Sequence, residues 1–386
     1  MDKKTQMNFN LNNFALALSP LLDGVETQRL TTSPHHSKRI AFVSLKLGIM
    51  LKLDAPSLAD LCAYSLSHHL ALNVTENEKE CCKLSSDICS SFPFLQPCED
   101  VLKYQQEYYN GTGLFGLKAK EIPLLSQLIS FAHTLDTRFD FSKPSIENRV
   151  AIVEFVKQNS NKLFMQTLCD TFLDLATQPS FWLDMQSENE MLQFIYVSLN
   201  DFTTIVSFEK MLAICSHFTS LVDVHSKIIE KAALMCEYYQ FEHKDKQTFL
   251  IAVSLENIGK LMIPKEILHK KSDLNPNEFE EVKAYPYYTK KALSAIMGFS
   301  DIATLASTAH EYLDGSGYPY FIQANALSLK NRLMAALVIY EALRAKKSYH
   351  EAFSHKEAIE IMSVFAQNYK IDAAIVEDMN KVFETI

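Results

Sequence analysis

The stretch His310-Glu311-Tyr312-Leu313-Asp314-Gly315-Ser316-Gly317-Tyr318-Pro319 sets an imidazole and two carboxylates beside a glycine-rich turn. Imidazole and carboxylate are donors that first-row transition ions accept, so such a segment is suited to metal chemistry. Its glycines stand out because the chain has only nine in 386 residues, about a third of average usage. Gly111, Gly113, Gly116, Gly315 and Gly317 fall in two similar loops, one reading Asn110-Gly111-Thr112-Gly113 and the other Asp314-Gly315-Ser316-Gly317. A chain this sparing of glycine uses it where the backbone needs positive φ or a close approach. Ordinary turn chemistry accounts for Asn-Gly and Asp-Gly alone, because Asn and Asp tolerate the left-handed region. The Gly317-Tyr318-Pro319 extension exceeds that explanation, and the first loop, which continues Leu114-Phe115, lacks it.

The elements that position these residues repeat along the chain. His36-Ser37-Lys38 opens a stretch with Ile40, Val43, Leu47 and Met50 at helical spacing, and His225-Ser226-Lys227 opens another with Ile228, Ile229, Ala232, Met235 and Cys236. Each is followed by an apolar helix interrupted by polar residues, Ser67-His68-His69 in the first and Leu255-Glu256-Asn257 in the second. Each half then reaches its glycine loop behind a glutamate, Glu107 or Glu311. Beyond the loops, Ile122-Pro123-Leu124 and Leu327-Ser328-Leu329 introduce similar helices, one carrying His133 and Asp136, the other Val338 and Glu341. Self-similarity of this kind marks two units of one design. The expected boundaries are a first domain at 1–180, a helical linker at 181–215 around Pro179-Ser180-Phe181-Trp182 and the Ser187–Glu190 polar run, and a second domain at 216–386.

Length and composition agree with that division. Two domains of roughly 190 residues are the natural expectation for this length. Apolar residues make up 48% of the chain, with 25 Phe and 16 Tyr; with low glycine and long periodic apolar stretches, this favours an all-α protein. The formal charge of −9 argues against nonspecific nucleic-acid binding, which needs a basic surface. No apolar run reaches the roughly 18 residues of a membrane span, and no secretory signal opens the chain. Eight scattered cysteines without a Cys-x-x-Cys read as reduced thiols in the cytoplasm.

In order and identity, Ile258-Gly259-Lys260, Ile263-Pro264-Lys265-Glu266-Ile267-Leu268, Glu311, the Asp314–Pro319 segment and Arg332 resemble the HD-GYP family of cyclic-dinucleotide phosphodiesterases. The resemblance implies two HD-domain-like helical bundles in tandem. It also implies two or three Fe or Mn ions held by His and Asp, activating a water against cyclic di-GMP or a related dinucleotide. The ligand positions depart from that pattern. The name-giving His-Asp pair is Glu256-Asn257, a later His-Pro is Tyr285-Pro286, one of two paired histidines is Ala309, and a helix aspartate is Val338. What remains is His225, matching the entry histidine, His310, and weak substitutes in Glu256 and Asn257. In the first unit, His36, His68, His69 and His133 stand at the positions of a minimal ligand set, with histidine in place of both aspartates. Asp136 follows His133 on roughly the same helical face, Cys81 falls near a lost histidine, and Gln105-Gln106 replace the paired histidines. Four histidines suit Zn or a similar ion; the reading placed ahead of that one is satisfied polar groups left in an old pocket. His35 reads as a solvated neighbour.

A bridged metal pair is therefore not expected, no resident cofactor is expected, and any ion would be Fe, Mn or Zn. Lys260 and Arg332 are candidates for ligand phosphates, and Glu311, Asp314, Gly315, Gly317, Tyr318 and Pro319 for a ligand or protein surface. In the family this loop is linked to contacts with diguanylate cyclase domains; a homodimer is a further possibility. Three functions stay open, in this order: a degenerate HD-GYP protein that binds or docks within a cyclic-dinucleotide pathway, an active phosphodiesterase with altered ligands, and a helical interaction scaffold of the HDOD-like kind.

Overall fold

A computed structural model describes residues 6–30, 32–96, 98–143, 145–223, 226–345 and 352–384. It is all-α apart from one two-stranded ribbon, and it divides into two compact units, Phe9–Thr204 and Ile205–Ile386 with the residues before Phe9. The ribbon pairs β1 (Gln6–Phe9) with β2 (Thr204–Ser207).

The first unit runs α1 (Leu11–Leu30), α2 (His36–Met50), α3 (Ala55–Leu66), α4 (Glu78–Cys89), α5 (Leu124–Phe139), α6 (Ile146–Gln158), α7 (Gln166–Leu175), α8 (Pro179–Asp184) and α9 (Glu188–Ser198). Helix α2 is its axis, packing against α1, α3, α5, α7 and α9. Ile40, Ala41, Phe42, Val43, Leu45 and Leu47 are all fully buried, as a helix apolar on every side must be. Starts are set locally: Asp54 caps α3 by accepting from the Ser57 amide, with Pro56 in its first turn, and Ser145 caps α6 through the Asn148 amide.

The second unit runs α10 (Phe208–Val222), α11 (Ile228–Tyr238), α12 (His243–Leu255), α13 (Lys265–Leu268), α14 (Pro276–Lys283), α15 (Tyr285–Leu293), α16 (Ser300–Ser307), α17 (Leu329–Arg344), α18 (His355–Gln367) and α19 (Ala373–Phe383). Here α12 is central, against α10, α11 and α16, with Phe249, Ile251, Ala252 and Leu255 fully buried. Ser328 and Asn331 form a reciprocal cap at the start of α17.

The expected linker at 181–215 does not stand between the units. Phe181 is fully buried and stacks on Phe42 with ring centres 6.2 Å apart, and Phe194 meets the same ring edge-on at 5.0 Å. Ile195 joins Ala41, Leu45 and Cys62 in one apolar cluster. These aromatic and aliphatic side chains complete the core around α2, so α8 and α9 belong to the first unit. Helix α10 packs on α12 and belongs to the second, and the boundary falls at Thr204.

Candidate metal centre

Three segments of the first unit deliver one cluster of four imidazoles. His36 is the first residue of α2, His68 and His69 lie in the turn after α3, and His133 comes from the middle of α5. One nitrogen from each lies within 4.8 Å of one from every other. His36 Nε2 is 3.2 Å from His133 Nδ1, and the His68 and His69 ring centres are 4.0 Å apart.

The surroundings fix how these rings point. Asp136 accepts from His36 Nδ1 at 2.5 Å, which turns the Nε2 lone pair toward the other histidines. The Ser65 carbonyl accepts from His68 Nδ1 at 2.8 Å with the same effect. A carboxylate or carbonyl behind an imidazole is the usual outer shell of a metal ligand. Asp136 is itself held by Arg39 through contacts of 2.9 and 3.0 Å and by the Phe141 amide at 2.9 Å. Burial raises its affinity for a proton, but the His36 bond and the Arg39 charge overcome this and hold it well below the usual carboxylate range. Burial pushes His68 and His69 downward and His133 to about 3, with neighbouring imidazoles adding to the effect, so these rings are neutral and keep a lone pair.

Glu26, near the end of α1, borders the cluster on the side of His68 and His69. It is 1% exposed; its Oε1 lies 3.1 Å from His69 Nδ1 and 3.7 Å from His68 Nε2. Burial, then the charges of Asp23 and Asp136, raise its pKa well above normal. Glu26 Oε2 and His68 Nε2 are buried without a hydrogen-bond partner among the described residues. Converging lone pairs with two orphaned polar atoms fit a transition ion. Cys81 stands outside this donor group, its thiol pushed up to about 11 by burial. His35, read as a solvated neighbour, is half-buried and lies 3.3 Å from Glu188.

His133 also lines a cavity of about 260 Å³, together with Glu78, Gln105, Gln106, Tyr108 and Thr134. Gln105 donates to the His68 carbonyl at 2.5 Å, and its Oε1 has no partner among the described residues.

The second unit arranges its residues differently. Where the first brings imidazoles together, a phenol occupies the space: the Tyr285 hydroxyl lies 2.5 Å from His310 Nε2 and 3.4 Å from Glu256 Oε2. Tyr285 and Glu256 are both buried. Burial lowers His310 to about 3, with the Lys260 charge adding to it. Burial raises Glu256 despite Lys260 and the Tyr285 bond. Lys260 Nζ sits over the Tyr285 ring at 4.9 Å, and Tyr318 stacks on His310 with ring centres 4.8 Å apart. Asn257 is buried nearby in sequence with its Oδ1 unpartnered among the described residues. His225 lies outside the described residues. Among those described, His310 and Glu256 form no group of three or more potential metal donors. Gly259 is explained by packing, since a Cβ there would strike the backbone of Tyr285 and the Thr289 side chain.

Two expected ligand-facing residues have structural roles. Glu311 accepts from the Tyr320 and Ile322 amides at 2.7 and 2.8 Å, so its carboxylate is spent on the loop. Arg332 donates to the Leu327 and Ala324 carbonyls and to Asp372, clamping the chain end before α17. Asp314 accepts from the Ser316 amide and hydroxyl, Gly315 adopts φ of 77°, and Gly317 lies against the backbone of Glu311 and Tyr312. The Tyr318-Pro319 peptide is cis. The first loop is built alike: Glu107 accepts from the Phe115 and Leu117 amides, Asn110 from Thr112, Gly111 has φ of 81°, and Gly113 lies against Gln106 and Glu107.

Sequence reasoning missed Glu26 and the part Arg39 plays. A lysine-arginine pair inside an otherwise apolar helix was the available signal for Arg39, because a buried guanidinium needs an acidic partner. Glu26 offered none.

Residues 207–375 match the HD domain family, so the second unit carries an HD domain. The chain is a homologue of HD-GYP-type phosphodiesterases. It is 22% identical to 3'3'-cGAMP-specific phosphodiesterase 1 of Vibrio cholerae over 96% of this chain and 91% of that one. With 3'3'-cGAMP-specific phosphodiesterase 3 of the same organism it shares 24% over 73% of this chain and 62% of the relative. A cyclic di-GMP phosphodiesterase of V. cholerae is 36% identical over 32% of this chain. A solved V. cholerae cyclic GMP-AMP-specific phosphodiesterase superposes with a TM-score of 0.67 at 19% identity, covering 98% of this chain and 99% of its own. Among the described residues, no helix is long and apolar enough to cross a membrane.

Proposed function

We propose that this protein is a degenerate, tandem HD-GYP protein of bacterial cyclic-dinucleotide signalling, cytoplasmic, that binds or regulates without hydrolysis in its second unit. The observation carrying this reading is the Tyr285 hydroxyl, 2.5 Å from His310 Nε2. It takes up the lone pair that a bridged metal pair would need, and Ala309 and Val338 offer no donor in compensation. Homology over 96% of the chain to a cyclic-dinucleotide phosphodiesterase supports the ligand class, and the matched loops at Glu107 and Glu311 support two copies of one unit. Lys260 and Tyr318 are the ligand contacts. The Asp314–Pro319 loop, with Phe279 and Phe321 exposed in the same unit, is the docking surface for a protein such as a diguanylate cyclase domain or a second copy.

Calorimetric titration with cyclic di-GMP and 3'3'-cGAMP, alongside a hydrolysis assay supplied with Fe, Mn or Zn, tests the proposal. Binding heat without linear product is expected. Turnover that disappears in His310→Ala sinks it in favour of an altered-ligand enzyme. Absence of heat with both nucleotides points to a scaffold with no nucleotide role.

A further inference from the structure

We infer that the first unit holds a single zinc-type ion as a structural clip, with Glu26 joining His36, His68, His69 and His133 as its donors. This deepens the non-hydrolytic reading above, but it rests on different residues.

The donor inventory sets the nuclearity. Each imidazole gives one lone pair and does not bridge, and among the described residues Glu26 is the one carboxylate beside the cluster with an unpartnered oxygen. Asp136, the other carboxylate at hand, is already committed to His36, Arg39 and the Phe141 amide. A pair of ions would need bridging carboxylates that this site does not present. For one ion with metal–nitrogen bonds of about 2.0–2.1 Å, donors sit no more than about 4 Å apart. The four imidazoles, within 4.8 Å of one another, need only a small contraction, and Glu26, which stands outside that spread but 3.1 Å from His69 and 3.7 Å from His68, must move in to join them.

Ligand chemistry sets the ion. Four imidazoles with one carboxylate suit Zn, Co or Ni better than Mn, which favours oxygen. The coordination count sets the role. Hydrolytic zinc sites keep a position open for water, whereas structural sites are filled by protein donors. Five protein donors leave no such position. What they join is α1 through Glu26, the turn after α3 through His68 and His69, and the starts and middles of α2 and α5 through His36 and His133. The ion also resolves an oddity of the packing, since Glu26 Oε2 and His68 Nε2 are buried side-chain atoms without a hydrogen-bond partner among the described residues. A divalent cation supplies both atoms with a partner. The cavity beside His133 is the path of entry.

The test is titration of chelator-stripped full-length protein with Co²⁺, read by its d–d absorption, with Zn²⁺ displacement and thermal melting in parallel. The expected result is one Co²⁺ per chain, displaced by Zn²⁺, with a higher melting temperature when loaded. Glu26→Gln, nearly isosteric, should weaken Co²⁺ by about tenfold or more and change the band, the scale seen when groups supporting a metal are removed. His133→Ala should abolish the band. Circular dichroism of each variant confirms folding, and His310→Ala, in the other unit, should titrate as the parent does. No stoichiometric band, two ions per chain, or an unchanged band in folded Glu26→Gln each overturns the inference. Nucleotide titration of the same stripped protein is read separately, so loss of dinucleotide binding with intact Co²⁺ uptake strikes only the functional proposal.

Discussion

The two units solve one local problem alike and another in opposite ways. In both, a buried glutamate gathers two loop amides, an Asn or Asp closes the turn before the first glycine, and a second glycine lies flat on the backbone behind it. Around the histidines they part. The first unit aims neutral imidazoles at one point behind an Asp136–Arg39 support, whereas the second fills that kind of space with the Tyr285 phenol. The glycine loop is thus maintained by backbone packing and hydrogen bonding that need no metal. A loop signature held by mechanical means does not depend on the donors behind it, so it reports fold more faithfully than chemistry.

The largest effect that could break this contrast comes from the support beneath the first cluster. Arg39→Ala strips buried Asp136 of its guanidinium partner and leaves it only the His36 and Phe141 bonds, and breaking a buried ion pair costs about 3–5 kcal/mol. Chemical denaturation should register that loss, with His310→Ala costing much less. Equal losses would mean that the first cluster is no better supported than the second. Next in size is the loops' shared design. Gly113→Ala and Gly317→Ala each drive a Cβ into the backbone behind the loop, which should destabilise by about 1–3 kcal/mol, the usual scale of overpacking. Similar values in melting experiments sustain the parallel; a neutral Gly317→Ala would mean that the second loop is kept for contact with something outside the chain.

How much of this was legible varies with the physics of each element. The helical class followed from apolar periodicity and scarce glycine. The cluster's four histidines could be assembled by matching the two halves of the sequence. Phe181, Phe194 and Ile195 looked like a connector because they follow a proline and a polar run; only packing against Phe42 shows that they finish a core. Glu26 sits among Val25, Thr27 and Gln28 at a helix end with no motif around it, so its burial beside His69 depends wholly on tertiary placement. Tyr285 was readable as a lost ligand, but not as the group that fills the space. Arg332 looked like a phosphate contact, and became a clamp because three acceptors from separate segments happen to meet its guanidinium.

Acid should expose the buried imidazoles. His310 and His133 are each drawn down to about 3 by burial, from an ordinary value of 6.5 that the unfolded chain recovers. Between those values the unfolded state carries a proton that the native state excludes, so stability is complete above pH 6.5 and falls as the pH drops toward 3. Each such histidine adds about 1.4 kcal/mol per pH unit to the slope in that window. His310→Gln in metal-free protein should flatten the curve by that amount. An unchanged slope would show that His310 is already solvated, and that the phenol does not seal it.

The finest test removes one atom. Tyr285→Phe keeps the ring and deletes the hydroxyl that faces His310 and Glu256. A net cost of about 0.5–1.5 kcal/mol is expected for the lost hydrogen bond, with metal content unchanged because the ion belongs to the other unit. The His310 ring then loses its partner at Nε2, which nitrogen NMR detects as a shift at that atom alone. Metal lost on this substitution would mean that the phenol is itself a donor. The second unit would then have kept a metal site by exchanging a ligand, and the contrast between an open cluster and a filled one would dissolve.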